Sequence, residues 1–188
     1  MKNLSLLIIG LLFITAITSC NNSGEITSTH AEGLVEEYLV LNPHYETAYF
    51  ETNKMRLTSK RDADLIEAIR DLEDQGLIEI VDENSRKKWF SKDSVFVITP
   101  SLTKEALPYV VKQAKNRTEV KTVEYELDDS RDILFTRKTD KSVSFNAILL
   151  KKKTPFYSFG KDKNPNSEFI TKEFKAKYIE EKGWVLVR

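Results

Sequence analysis

Few side chains here are equipped for chemistry. The 188-residue chain holds one cysteine, Cys20, and two histidines, His30 and His44. A lone thiol cannot close an internal disulfide, and it cannot build a Cys/His zinc cluster. Both histidines are expected in or beside loops, without the i, i+4 partner of a helical metal pair. "VLNPHYE" brings only Glu46 near His44, so each reads as an isolated surface imidazole. No G-x-S-x-G, H-E-x-x-H, P-loop or Rossmann glycine pattern occurs, and no serine is paired with a recognisable base. The sequence therefore names no catalytic residue, no metal site and no cofactor.

Three other stretches concentrate polar or aromatic groups. "ELDDSRD" (residues 126–132) is the densest acidic cluster, but it lacks the spacing and central glycine of a calcium loop. Asp and Ser favour turns, so it reads as a solvated turn between strands. "KKKTPFYSFGKDK" (residues 151–163) flanks three aromatics with cations. Tyr157 and Phe159 could meet an anionic glycan, a lipid headgroup or a peptide by charge and stacking. The plainer reading, a half-buried strand with solubilising lysines at its ends, suits the alternating aromatics better. In "DENSRKKWFSKD", Trp89 sits among charges beside Lys87 and Lys88 and is the best single contact candidate; Trp184 reads as core.

The amino terminus supplies an address. "MKNLSLLIIGLLFITAITSC" has Lys2 as a positive start, an apolar run from Leu4 to about Ile17, then small residues. That order is that of a secretory signal peptide, and the run is shorter than the ~20 apolar residues of a bilayer span. Ile17, Thr18, Ser19 and Cys20 closely resemble the lipobox of bacterial lipoproteins. The resemblance implies diacylglycerol on the Cys20 thiol, cleavage before Cys20 with loss of residues 1–19, and acylation of the new amino group. Acyl chains contribute roughly 0.8 kcal/mol per buried CH₂, so several make a stable anchor outside the cytoplasm. Residues 20–29 are polar and small and read as a lipidated tether.

Forty per cent hydrophobic and 31 per cent charged residues describe an ordinary globular chain with zero net charge. The zero conceals a split: residues 1–99 carry 10 Lys/Arg against 16 Asp/Glu, and residues 100–188 carry 19 against 13. Opposed halves can attract one another, though two solvated surfaces explain the split equally simply.

The elements follow from periodicity. Thr29 and Glu32 form a capping-box pattern opening a helix with Leu34, Val35, Tyr38 and Leu41 on one side, which Pro43 ends. Residues 45–52 alternate as a strand. Asp62 to Gln75 is a second helix striped by Leu65, Ile66, Ile69 and Leu72, with Gly76 at the C-cap. Strands at 77–81 and 94–99 flank a charged loop, and residues 102–115 read as helical, kinked or started at Pro108. Beyond Thr118, residues 120–127, "DILFTRK", "SVSFNAILLKK", "TPFYSFG" and "GWVLVR" read as strands. "EFITKEFKAKYIEE" fits strand or helix.

"LIEAIRDLEDQGLIEI", a polar loop and "FVIT" resemble a helix entering the wing of a winged-helix fold, over about residues 60–105. One departure is plain: "NKMRLTSKR" shows no convincing extra helix before the wing. Asp62, Asp64, Glu67, Asp71, Glu73 and Asp74 face only Arg70 there, a charge that repels the phosphate backbone of a duplex. No nucleic-acid partner is expected.

The resulting expectation is an α+β protein with a winged-helix-like part at 30–116 and a mainly antiparallel β-rich part at 117–188. It is anchored in the envelope membrane through lipidated Cys20. It works as a non-enzymatic binding or assembly module for an envelope protein, a peptide or a glycan. Two other readings stay open: an extracytoplasmic hydrolase with an unrecognised site, and an inhibitor or immunity-type module acting through the charged wing.

Overall fold

The computed structural model describes residues 24–87 and 93–187. In chain order these form α1 (Ser28–Leu41), β1 (Tyr45–Glu51), β2 (Met55–Thr58), α2 (Ala63–Asp74), β3 (Ile78–Lys87) and β4 (Ser94–Leu102). Then come β5 (Val110–Gln113), β6 (Arg117–Leu127), β7 (Leu134–Thr139), β8 (Ser142–Lys153), β9 (Phe169–Ile179) and β10 (Gly183–Val187). The class is mixed α and β, two helices with a mostly antiparallel, curled sheet, as the alternating patterns led one to expect.

Seven strands make the large sheet, in the order β1-β6-β8-β9-β10, with β5 beside β6 and β7 beside β8. The long central strands change neighbours halfway along. β6 meets β5 at Thr118–Val120 and β8 at Val123–Leu127; β8 meets β7 at Ser142–Asn146 and β6 at Leu149–Lys153. On the inner face of this sheet, Val143, Phe145, Ala147 and Leu149 of β8 pack with Phe174 and Ala176 of β9 and Trp184 of β10. Ala31 and Val35 of α1 close that core. Phe145 and Phe174 stack with ring centroids 6.0 Å apart, and Tyr38 meets Phe174 edge-on at 5.7 Å. Each large apolar side chain buried in this way stabilises by about 1.5–3 kcal/mol.

A second core lies between α2 and a three-stranded sheet, β2-β4-β3. Ile69 and Leu72 of α2 meet Leu57, Leu77, Ile78 and Ile98, and Phe50 of β1, Val120 of β6 and Phe156 complete it. β6 therefore serves both cores, with Val120 in this one and Val123 and Tyr125 in the other. Gly76 follows α2 at φ +72°, a left-handed conformation that only glycine adopts without steric cost, so the chain turns straight into β3. Pro100 is tolerated within β4 because it lies beyond Ile98, where the ladder with β2 ends.

Several elements differ from expectation. The first helix is capped two residues early: Thr27 accepts from the His30 N–H at 3.2 Å, and Ser28 Oγ, not Thr29, donates to Glu32 at 3.0 Å. Leu41 is 73% exposed because Asn42 ends the helix before it can reach the core, and Leu65 lies on the exposed flank of α2 at 36%. Residues 102–115 are not a helix. Pro108 disfavours continued α-helical geometry at the residue before it, leaving one 3-10 turn at Leu107–Tyr109, and the β-branched pair Val110–Val111 enters β5. "NKMRLTSKR" contains β2, where Leu57 is buried against α2. "TPFYSFG" is a turn with a 3-10 segment at Tyr157–Phe159, and "EFITKEFKAKYIEE" is the strand β9. Glycine-poor Gly24–Thr27 is packed rather than free: Ile26 is 1% exposed, and Gly24 accepts from the Trp184 indole at 2.8 Å.

Candidate functional site

The segment between β8 and β9 is the most heavily tied part of the surface. Lys151 ends the inward row of β8, with its side chain 1% exposed, and its Nζ lies 2.5 Å from both Asp162 Oδ1 and the Asn164 carbonyl. Asp162 also accepts from Tyr157 Oη at 3.2 Å and the Asn164 N–H at 2.8 Å. The Lys151 hydrogen bond, first among these, holds the Asp162 carboxyl below its ordinary range. A second group sits alongside. Tyr125 Oη donates to Glu46 Oε1 at 2.7 Å, and the His44 ring lies tilted against the Tyr125 ring at 5.0 Å. Burial, then the hydrogen bond and charge of Glu46, push the Tyr125 phenol up, so it remains a donor. Burial, with the charges of Lys172 and Lys163 behind it, holds His44 below its ordinary value against the opposing pull of Glu46.

Between these two groups the segment crosses the sheet closely. A Cβ on Gly160 would stand 2.8 Å from Thr122 Cγ2, so only glycine fits there without displacement. Tyr157 is half-buried against the core under α1, and Phe159 is half-buried against the core under α2, edge-on to Phe50 at 5.1 Å. The two candidate contact aromatics thus leave one turn for different cores. Lys153 Nζ stands 4.6 Å from the Tyr157 ring centroid and covers it from solvent. Trp89 and Lys88 lie outside the described residues, as does Cys20. Lys87 ends β3 opposite Ser94, and its side chain also lies outside what is described.

The remaining sequence candidates fall into structural places. Asp128 of "ELDDSRD" is 4% exposed and accepts from the Ser130 N–H and hydroxyl. Arg131 pairs with it at 3.1 Å while lying over the Phe169 ring. His30 is exposed in the first turn of α1. Among the described residues, no three His, Cys, Asp or Glu side chains are gathered as a metal site would need, and no helix is long and apolar enough to cross a membrane.

Two charged surfaces were not foreseen as sites. The exposed side of α2 presents Asp64, Glu67, Asp71 and Asp74, and its one cation, Arg70, is taken up by Glu73 at 2.7 Å and by Glu83. On the outer face of the large sheet, Arg137, Lys175 and Lys177 surround Ser142 and Ser144. Their signal in the sequence is the alternation of "KEFKAKYI" and "SVSFNA", whose outward positions carry Lys and Ser. Register, which no single strand reveals, brings them together. A depression of about 330 Å³, open to solvent, is lined there by Arg137, Thr139, Ser142, Ser144 and Lys175. Another of about 430 Å³ adjoins the chain start, lined by Glu25, Lys138, Thr139, Asp140 and Trp184.

Comparison with family models, with curated proteins and with solved structures finds no match for this chain.

Proposed function

We propose that this protein is a lipid-anchored envelope component that works by binding, as an assembly or recognition module rather than by catalysis. The observation that carries the reading is the meeting of the lipobox-like "ITSC" with packed residues that begin four positions after Cys20, at Gly24. Gly24 is held by Trp184, Glu25 by Lys138 and Ile26 by the core, so an acylated Cys20 would hold the folded body close to the bilayer.

The surface for a partner is the acidic side of α2. The helix running through Gly76 into β3, together with the sheet order β2-β4-β3, supports a winged-helix-like packing unit. Its exposed carboxylates disfavour nucleic acid and suit a cationic protein or peptide. Wide, open depressions bordered by charged side chains also suit an extended partner better than a small enclosed substrate.

Cys20→Ala tests the anchor. Loss of the acyl mass and release of the protein from the membrane fraction are expected; an unchanged membrane-bound, unprocessed fraction overturns the reading. Asp64→Asn, Glu67→Asn, Asp71→Asn and Asp74→Asn together test the surface by chemical cross-linking in cells. Cross-linked species formed by the parent chain should disappear with the fold intact, and their persistence overturns the role of α2.

A further inference from the structure

We infer that the outer face of β7, β8 and β9 is a second, electrostatic membrane contact that takes the phosphates of anionic phospholipid headgroups. This rests on the reading of Cys20 as the lipidated residue.

The register sets the geometry. Ser144 is paired with Arg137 on one side and Lys175 on the other, and Ser142 is paired with Thr139 and Lys177. Directly paired residues project from the same face, and neighbouring strands lie about 4.8 Å apart. Three cations and two serine hydroxyls therefore share a patch three strands wide. Among the described residues, none of Arg137, Lys175 and Lys177 is joined to a carboxylate by a salt bridge, whereas Lys138 pairs with Glu25 and Lys141 with Glu180. Neither serine hydroxyl donates to a described residue, since Thr139 and Thr136 bond only to the carbonyls of Ser142 and Ser144. Acidic groups border the patch without entering it. Glu173 is the next outward residue of β9, opposite Asn146, and Asp140, Glu180 and Glu181 lie on the turns. Like charges left together on one face repel, and an anion seated among them relieves that repulsion.

Chain length supplies the occupant. From Cys20 to Gly24 there are four residue steps, an extended reach of about 14 Å at most. Gly24 and Glu25 are fixed at Trp184 and Lys138, on the end of the sheet where the β7–β8 and β9–β10 turns meet. Thr139 lines both the depression beside the chain start and the basic one, so the two are adjacent. An acylated Cys20 brings this end of the sheet to the headgroup layer, where each Lys or Arg next to an anionic headgroup contributes to attraction.

The test uses the mature protein reconstituted in vesicles, with lysine acylation as the readout and the mass of the Cys20 peptide measured in the same sample. In vesicles of phosphatidylglycerol and phosphatidylcholine, Lys175 and Lys177 should label about threefold or more slowly than in phosphatidylcholine alone. High salt should abolish the difference, and exposed Lys112 and Lys115 should label equally in both. Arg137→Gln should reduce the protection of Lys175 while circular dichroism stays unchanged. Equal labelling of the acylated protein in the two vesicles overturns the inference. Equal protection by inorganic phosphate in neutral vesicles overturns it as well, because the face is then a site for a free anion. Absence of acyl mass on Cys20 overturns the anchoring reading instead.

Discussion

The two cores are built from the chain in different ways. The core under α2 draws nearly all its buried residues from one stretch, Phe50 to Ala106, with Val120 and Phe156 the buried members from beyond it. The core under α1 joins the two ends of the described chain: Ile26 and Trp184 share it, and the Trp184 indole reaches Gly24 across 160 positions. Their surfaces differ too, acidic on α2 and basic on the outer face of β7 to β9. What unites them is one strand, β6, and one turn that sends Tyr157 to one side and Phe156 and Phe159 to the other. A unit assembled locally is completed by a strand that belongs equally to a unit assembled over long range.

The sharpest way to break this comparison is to weaken each core alone. Phe145→Ala and Leu72→Ala remove fully buried side chains from the first and second core, and each should cost about 2–5 kcal/mol. Because β6 is shared, both should lower one common transition, read by Trp184 fluorescence and by far-UV circular dichroism. Two separated transitions, with Leu72→Ala leaving Trp184 unmoved, would show that β6 does not couple the cores.

Tyr125→Phe comes next. It leaves the buried Glu46 carboxyl without its phenolic donor and should destabilise by about 2 kcal/mol in urea unfolding. A neutral result would mean that the Lys163 N–H or solvent satisfies Glu46 alone. Gly76→Ala puts a Cβ on a φ of +72° at the junction of α2 and β3 and should cost about 1 kcal/mol, felt in the second core. No loss of stability would place the helix end elsewhere.

The smallest effect is in pH. His44 titrates below its ordinary value of 6.5 in the folded protein, so below about that pH the unfolded chain binds more protons. Stability should be flat above pH 7 and decline as the pH falls through His44's folded value. Asp162, whose carboxyl is also held low, adds a further loss only below its ordinary value of 3.8. His44→Gln should flatten the first decline and leave the second; a parallel curve for the variant would remove His44 from the network.

How much of this was legible in the residues depended on the range of the contacts. Ile69, Leu72 and Gly76 announce α2 and its end because helical spacing and a left-handed cap are local properties. The alternation of Val143, Phe145, Ala147 and Leu149 likewise announces an inward row. Leu41 and Leu65 misled because a helical stripe does not state where the partner surface stops. Residues 102–115 misled because Pro108 stops an α-helix there and the chain from Val110 pairs with β6 instead. The candidate surfaces were the least legible. Lys151 reads as one of three solubilising lysines and is in fact the buried partner of Asp162, while Lys175 and Lys177 become a patch only when β8 aligns Ser144 and Ser142 beside them.

By itself, the sequence determined the mixed α and β class, the span of α2 with its glycine end, and the small number of reactive side chains, all of which rest on composition and on neighbours a few residues apart. The tertiary structure alone decided that the ends of the described chain share a core, that Tyr157 and Phe159 part company, and that cations from two strands converge beside the chain start. Those outcomes turn on strand register and on which face each strand presents, and both are set by packing between residues far apart in the chain.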